Sequence, residues 1–303
     1  MNIVRCPICH SFADPFTQLA HYSYWGCNLC LTLFLHPIPT QSTLDSYYRE
    51  AFTYEEALTQ EPEIRRRARR ILRRLRRMLP GRGRMIDIGA GYGFCVDEAI
   101  KSGWDAYGIE PSKTVHTQGA GLVGRRLDCC SLSELHPRHR GAYDAAVAIH
   151  VIEHVADPFL FVRQASSLLK PGGVLYIETP NLDSWLFYAE RKRYTFLTPP
   201  AHVYLFSRRS LEIITARAPV IRVQSSTYSH PTHFAGIIKH VARPKEKKQS
   251  AVEASASTPA ASRHTLSRRI KHLLLDSFIA PIGHPILNWG GKGSILEQYY
   301  VKI

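Results

Sequence analysis

Between residues 64 and 79 the apolar side chains Ile64, Ala68, Ile71, Leu72, Leu75, Met78 and Leu79 fall at three- and four-residue steps, with arginines filling the other positions. That period predicts an amphipathic helix, ended by Pro80 and Gly81. Past it the pattern changes. Short apolar runs at 85–88, 106–109, 145–149, 174–178 and 220–227 are separated by helix-period segments at 97–101, 112–120, 158–169 and 209–218. Such alternation predicts an α/β fold built on a mostly parallel sheet, because parallel neighbours need a helix-length crossover. An alternating run at 295–303 predicts one last strand.

The two flanks of this pattern read differently. Residues 1–36 lack helical periodicity and are rich in cysteine, histidine and aromatics. Cys6 and Cys9 form one Cys-x2-Cys pair, and Cys27 and Cys30 form a second after seventeen intervening residues. This spacing suits two tight knuckles that give four thiolates to one tetrahedral zinc ion, and predicts a separate small zinc ribbon, since so small a core needs a staple. A redox-active dithiol and a metal-free relic are the other readings, and His10 or His21 could replace one thiolate. Four thiolates leave no open position, so the ion would be structural. Residues 37–84 then form a linker and the arginine helix, 85–228 the core, and 229–293 an insertion before the final strand at 294–303. Within the insertion, 243–267 is rich in Lys, Ser, Ala, Thr and Pro and is expected to be disordered, with helices expected at 235–241 and 270–279.

Charge sharpens one part of this picture. The chain carries a formal +14, and eleven arginines against Glu61 and Glu63 between 61 and 84 put +9 of it in that segment. Three readings stand for it: contact with nucleic-acid phosphates, contact with anionic lipid, or a solvated face covering the core. So many like charges on one helix repel unless anions or carboxylates elsewhere neutralise them. No basic start precedes an apolar stretch, and no apolar run reaches membrane-spanning length. A cytoplasmic location is expected, with peripheral attachment to a membrane through the arginines as an option. There, structural disulfides are disfavoured, and Cys95, Cys129 and Cys130 read as small buried side chains.

Candidate chemistry begins where the first core strand gives way to Gly89-Ala90-Gly91-Tyr92-Gly93. A turn without Cβ atoms, opening a helix, lets a ligand approach backbone N–H groups. A dinucleotide oxidoreductase would want a third glycine where Phe94 stands. Glu110, seventeen residues after Gly93 at the end of the second strand, can accept hydrogen bonds from two ribose hydroxyls.

Asp87-Ile88-Gly89-Ala90-Gly91-Tyr92-Gly93, Glu110, the run Glu153-His154-Val155 and Leu169-Lys170-Pro171-Gly172-Gly173 together resemble class I S-adenosylmethionine-dependent methyltransferases. The resemblance spans about 85–223. It implies a Rossmann-like seven-stranded sheet of order 3-2-1-4-5-7-6 with the seventh strand antiparallel. It also implies S-adenosylmethionine as cofactor, with Gly89, Gly91 and Gly93 under its amino-acid and ribose portion and Glu110 on the ribose hydroxyls. Asp87 would position the methionine amino group, Asp128 would lie near the adenine, and His150 would face the methyl donor. The four-cysteine arm is similar to the zinc-bearing arm of some sugar C-methyltransferases and related glycan-cluster enzymes, although no matching C-terminal domain is evident.

Because the sulfonium already activates the methyl group, the protein chiefly aligns an acceptor and removes a proton where needed. His154 and His202 are the candidate general bases, since imidazole titrates near working pH. The plainer readings are a residue that fixes the loop after the fourth core strand for His154 and a surface loop residue for His202. A sugar or glycan-related hydroxyl or carbon on a small molecule is the expected acceptor. A zinc-ribbon RNA methyltransferase is the first alternative, although His150-Val151-Ile152-Glu153 stands where base-amine enzymes often carry Asn/Asp-Pro-Pro-aromatic. A non-catalytic scaffold or adaptor is the second.

Overall fold

The computed structural model describes residues 3–50, 54–81, 83–230 and 288–303. The chain opens with β1 (Val4–Arg5), β2 (Phe12–Leu19), β3 (Tyr22–Cys27), β4 (Thr32–Leu35), α1 (Gln41–Glu50) and α2 (Tyr54–Met78). Strands and helices then alternate as β5 (Arg84–Ile88), α3 (Phe94–Lys101), β6 (Asp105–Ile109), α4 (Lys113–Val123), β7 (Leu127–Asp128), α5 (Leu132–Leu135), β8 (Tyr143–Ile149), α6 (Pro158–Leu168) and β9 (Leu169–Pro180). They continue through α7 (Trp185–Glu190), β10 (Tyr204–Leu205), α8 (Arg208–Thr215), β11 (Val220–Tyr228) and β12 (Ile295–Lys302).

Seven of these strands form the main sheet in the order β7-β6-β5-β8-β9-β12-β11. The first five pair in parallel, and β12 runs antiparallel to both β9 and β11. Numbered along the core this is the expected Rossmann-like order 3-2-1-4-5-7-6. Period-two alternation assigns each side chain to a face. Ile86, Ala146, Ala148, Leu175 and Ile177 pack toward α6 and α8, whereas Met85, Ala145, Val147, Val174 and Tyr176 pack against Ala68, Ile71, Leu72 and Leu75 of α2 and Val96 and Ala99 of α3. Burying side chains such as Ile71 and Leu75 contributes about 2 kcal/mol each.

Several elements depart from the sequence pattern. Helix α2 starts ten residues ahead of Ile64 and holds Pro62 inside, because its first turns carry too few apolar residues to show a period. Strand β9 begins at Leu169 rather than 174, since Leu169 pairs with Tyr143 and Val174 with Ala145, leaving 170–173 as an irregular excursion. The N-terminal arm, expected as a separate module, shares its sheet with the body: β4 pairs with β10, and Val4, Cys6, Ile8 and Phe34 join the core cluster that contains Ile86 and Ile177. Cys95 is buried as expected, but Cys130 is only half-buried and Cys129 is exposed, because both follow the two-residue edge strand β7. The disordered stretch and helices expected within the insertion lie in 231–287, outside the described residues. No helix among the described residues is long and apolar enough to cross a membrane.

Candidate active site

At the carboxyl end of β5 the chain turns sharply into α3, and Gly89, Gly91 and Gly93 all take positive φ, at 71°, 55° and 76°. Both Gly89 N–H and Ala90 N–H donate to Ile109 C=O at 2.9 Å, tying the turn to β6. A Cβ on Gly89 would come within 2.8 Å of Val151, whereas one on Gly91 would meet nothing within 4 Å. The turn therefore offers bare backbone on its open side.

Glu110 follows β6 directly beside it. One carboxylate oxygen accepts Gly91 N–H at 3.1 Å, and the other accepts Ser112 N–H at 2.9 Å. Burial raises the pKa of Glu110, against the pull of these two donors. Asp128, at the end of β7, accepts Glu110 N–H through its backbone carbonyl at 3.0 Å and keeps its side chain exposed. Asp87 sits beneath the turn, 3% exposed. Burial, with a smaller push from Glu110 and against a hydrogen bond from Cys95, lifts its carboxyl to about 7.

His150 closes β8 at a φ of 54°. Its Nδ1 lies 3.0 Å from Glu153 and its Nε2 3.4 Å from Glu178. Burial would lower the imidazole pKa, but the two carboxylates outweigh it and hold the value up at about 9. The resemblance makes His150 a neighbour of the methyl donor, and the structure shows it clamped between two carboxylates.

His154 ends a single turn of 3-10 helix, Ile152–His154, and His202 follows the cis peptide Pro199–Pro200. Although 48 positions apart, their rings lie 4.8 Å from each other. Tyr48 of α1 donates its hydroxyl to Ala201 C=O at 2.8 Å, and the Nδ1–H of His154 is directed at that carbonyl at 2.9 Å and at the Tyr48 oxygen at 2.6 Å. The Nδ1–H of His202 donates to Phe196 C=O at 2.6 Å. A carbonyl can only accept, so in both rings the proton sits on Nδ1 and Nε2 keeps its lone pair. Burial lowers both pKa values, that of His202 to about 4. His202 is half-buried rather than a surface loop residue, because β10 and the β3–β4 hairpin hold its loop: Tyr24 donates to His202 C=O at 2.6 Å and Leu35 N–H to Val203 C=O at 2.9 Å.

Comparison with known proteins fits this geometry. The methyltransferase-domain family matches residues 61–218. The chain belongs to this methyltransferase family. Among curated relatives, the ubiquinone biosynthesis O-methyltransferase of Bradyrhizobium sp. (strain ORS 278) is 32% identical over 104 residues, and that of Rhodopseudomonas palustris (strain BisB18) is 33% identical over 106. Each match covers 32% of this chain and 40% of the relative, so the chain spans well under half the length of either. An S-adenosylmethionine-dependent methyltransferase from Archaeoglobus fulgidus superposes with a TM-score of 0.53 at 15% identity, over 82% of this chain and all of that one. A possible histamine N-methyltransferase from Thermotoga maritima gives 0.51 at 17%, over 86% and 99%. At these identities the likeness is one of fold.

The methyltransferase uses its arginine helix in a way that was half legible in the sequence. Arg65 pairs with Glu61, Asp97 and Glu98; Arg67 and Arg70 reach Glu178; and Arg70 and Arg74 reach Glu297. Glu178 and Glu297 are fully buried, and Tyr176 donates its hydroxyl between them, at 2.6 and 2.9 Å. These inward arginines are neutralised by core carboxylates, while Arg66, Arg69, Arg73, Arg76 and Arg77 form the exposed face. Glu153, Glu178 and Tyr48 carry much of the site's hydrogen bonding; Glu153 entered the sequence reading only within motif runs such as Glu153-His154-Val155, and none of the three was given a role from sequence. A charged residue inside a buried strand was the available signal for Glu178; Tyr48, on a polar helix, gave none.

In the arm of the methyltransferase the four thiols converge. Cys6 and Cys30 lie 3.5 Å apart, Cys9 and Cys27 lie 3.4 Å apart, and all four sulfurs fall within 4.8 Å of one another. Sulfurs bound at about 2.3 Å around a tetrahedral ion stand about 3.8 Å apart, so the donor set fits such an ion. The knuckles are alike: His10 N–H donates to Cys6 C=O and Leu31 N–H to Cys27 C=O, each at 2.9 Å, and His10 and Leu31 both take positive φ.

Proposed function

We propose that this methyltransferase binds S-adenosylmethionine across the glycine turn and transfers its methyl group to an oxygen of a small-molecule acceptor beside His154 and His202. The observation that carries the reading is Glu110, held by Gly91 N–H and Ser112 N–H at 3.1 and 2.9 Å. This arrangement fixes one carboxylate beside bare backbone, where adjacent ribose hydroxyls can meet it. When bound, the cofactor supplies a methyl group already activated by its sulfonium. Gly89, Gly91 and Gly93 make room for it, Asp87 faces its amino group from beneath, and Asp128 stands at the adenine side.

On the acceptor side, the Nε2 lone pairs of His154 and His202 can receive a hydroxyl proton. Burial lowers both imidazoles, His202 to about 4, and the Glu153 carboxylate favours the protonated form of each. The curated relatives support oxygen as the atom methylated. The four-cysteine arm, read as a structural zinc ribbon, supports a sugar or glycan-related acceptor, and an acceptor of the ubiquinone-biosynthesis kind named for the relatives is the second reading. A cytoplasmic location suits either. The test incubates cell extract with protein and methyl-labelled cofactor and identifies the product by mass spectrometry. A labelled small-molecule ether supports the proposal, and methylated RNA as sole product overturns it.

A further inference from the structure

Beyond the thiolates of the arm, a second group of metal-type donors gathers at the acceptor side. One ring nitrogen each from His154 and His202 and a carboxylate oxygen of Glu153 lie within 4.8 Å of one another, with His154 Nε2 4.0 Å from Glu153 Oε1. Ligands bound at 2.0–2.2 Å to one ion sit about 3.0–3.5 Å apart, so side-chain shifts of about an ångström would close the group on a cation.

The protonation of the rings is what makes this more than a cluster. Each Nδ1–H is spent on a backbone carbonyl, Ala201 for His154 and Phe196 for His202, which is the outer-shell arrangement that orients metal-bound imidazoles. Each ring thus keeps its Nε2 lone pair, and that of His154 lies 4.0 Å from Glu153 Oε1. Lone pairs beside a buried carboxylate cannot satisfy one another, because all three groups are acceptors. Glu153 is itself steadied, by Thr179 at 3.0 Å on one oxygen and by His150 on the other. The Tyr24 hydroxyl, donating to His202 C=O at 2.6 Å, holds the loop that carries His202.

We propose that Glu153, His154 and His202 form a second metal site, which takes a first-row divalent transition ion and leaves a position open toward the acceptor oxygen. Two imidazoles and one carboxylate suit zinc, manganese, iron(II) or cobalt(II) rather than a purely oxygen-seeking ion. Three protein ligands leave the open position that the four-thiolate site lacks. The inference rests on the acceptor side assigned above and changes the part the imidazoles play there: with the ion in place their Nε2 lone pairs hold the metal instead of taking the acceptor proton, and the open position would face the acceptor oxygen.

The test titrates the full chain, with zinc on its thiolates, with manganese(II), which does not favour sulfur, and follows free manganese by electron paramagnetic resonance. One manganese per chain is expected, with affinity lowered by more than about 100-fold in His154→Gln and in His202→Gln, beyond the 10–100-fold typical of outer-shell changes. In the wild-type protein the bound ion should broaden the ring C–H proton signals of two histidines first, a readout that needs no variant to fold. Glu110→Ala should keep the manganese while losing S-adenosylmethionine, which separates failure of the metal site from failure of the cofactor site. Absence of manganese binding by the wild-type chain, or wild-type affinity in either histidine variant, overturns the proposal.

Discussion

Glu297 on β12 lies directly opposite Glu178 on β9, and Arg70 reaches both carboxylates, at 2.8 and 3.7 Å. Like charges opposite each other in a ladder normally destabilise it. Here Arg67 and Arg74 join Arg70, and the Tyr176 hydroxyl donates to both acids, so the sheet tolerates two buried anions only while α2 is docked. Arg67→Ala leaves Glu178 short of its main cation and should destabilise the protein by about 3–5 kcal/mol, whereas Arg73→Ala, on the exposed face, should change stability by less than about 0.5 kcal/mol. Urea denaturation of both variants checks this; equal losses would contradict it.

The His150 clamp gives stability a pH dependence of definite sign. Its folded pKa of about 9 lies above the ordinary 6.5, so its contribution is complete below about 6.5 and is lost as pH rises through about 9, up to about 3 kcal/mol. Glu153, lowered to about 2, contributes above its ordinary value near 4.5 and loses that contribution as pH falls toward 2. Thermal midpoints should therefore fall between pH 7 and 9, and His150→Gln should flatten that limb. A wild-type profile flat over this interval would contradict the clamp.

Asp87 predicts a proton exchange on cofactor binding. With its carboxyl near 7, it is mostly protonated at pH 6, and a cationic amino group placed beside it would drive the proton off. Binding of S-adenosylmethionine should release up to one proton per chain at pH 6 and strengthen toward pH 7.5. Calorimetry in buffers of different ionisation enthalpy measures the release, and Asp87→Asn should abolish it.

The arm predicts one zinc per chain held by Cys6, Cys9, Cys27 and Cys30. Stripping it with a chelator should lower the thermal midpoint, because the knuckles and β1–β4 lose their staple. Cys27→Ser with undiminished zinc content would remove the four-thiolate assignment.

The alternation of strands and helices could be read from the sequence because most core strands are short apolar runs bounded by a helix of different period, the strand order came from the resemblance to class I methyltransferases, and Gly89-Ala90-Gly91-Tyr92-Gly93 followed by Glu110 marks where a ligand can approach. What escaped the pattern did so for physical reasons. Strand β7 is two residues long, too short for any alternation, and β10 is recognisable only by its pairing with β4. Periodicity sorted α2 into apolar and arginine positions but could not divide the arginines, since the carboxylates that take Arg67, Arg70 and Arg74 lie more than 100 residues further along the chain. The proximity of His154 and His202 depends on the loop that the arm holds against the core, a tertiary relationship that spacing does not encode.

The central claim is that the glycine turn and Glu110 together hold S-adenosylmethionine, and isothermal calorimetry of the full chain with this cofactor tests it most directly. The account predicts one site per chain, with affinity lowered roughly 100-fold in Glu110→Ala, as expected for losing two hydrogen bonds to a charged group. No heat of binding at saturating cofactor, or unchanged affinity in Glu110→Ala, would contradict it.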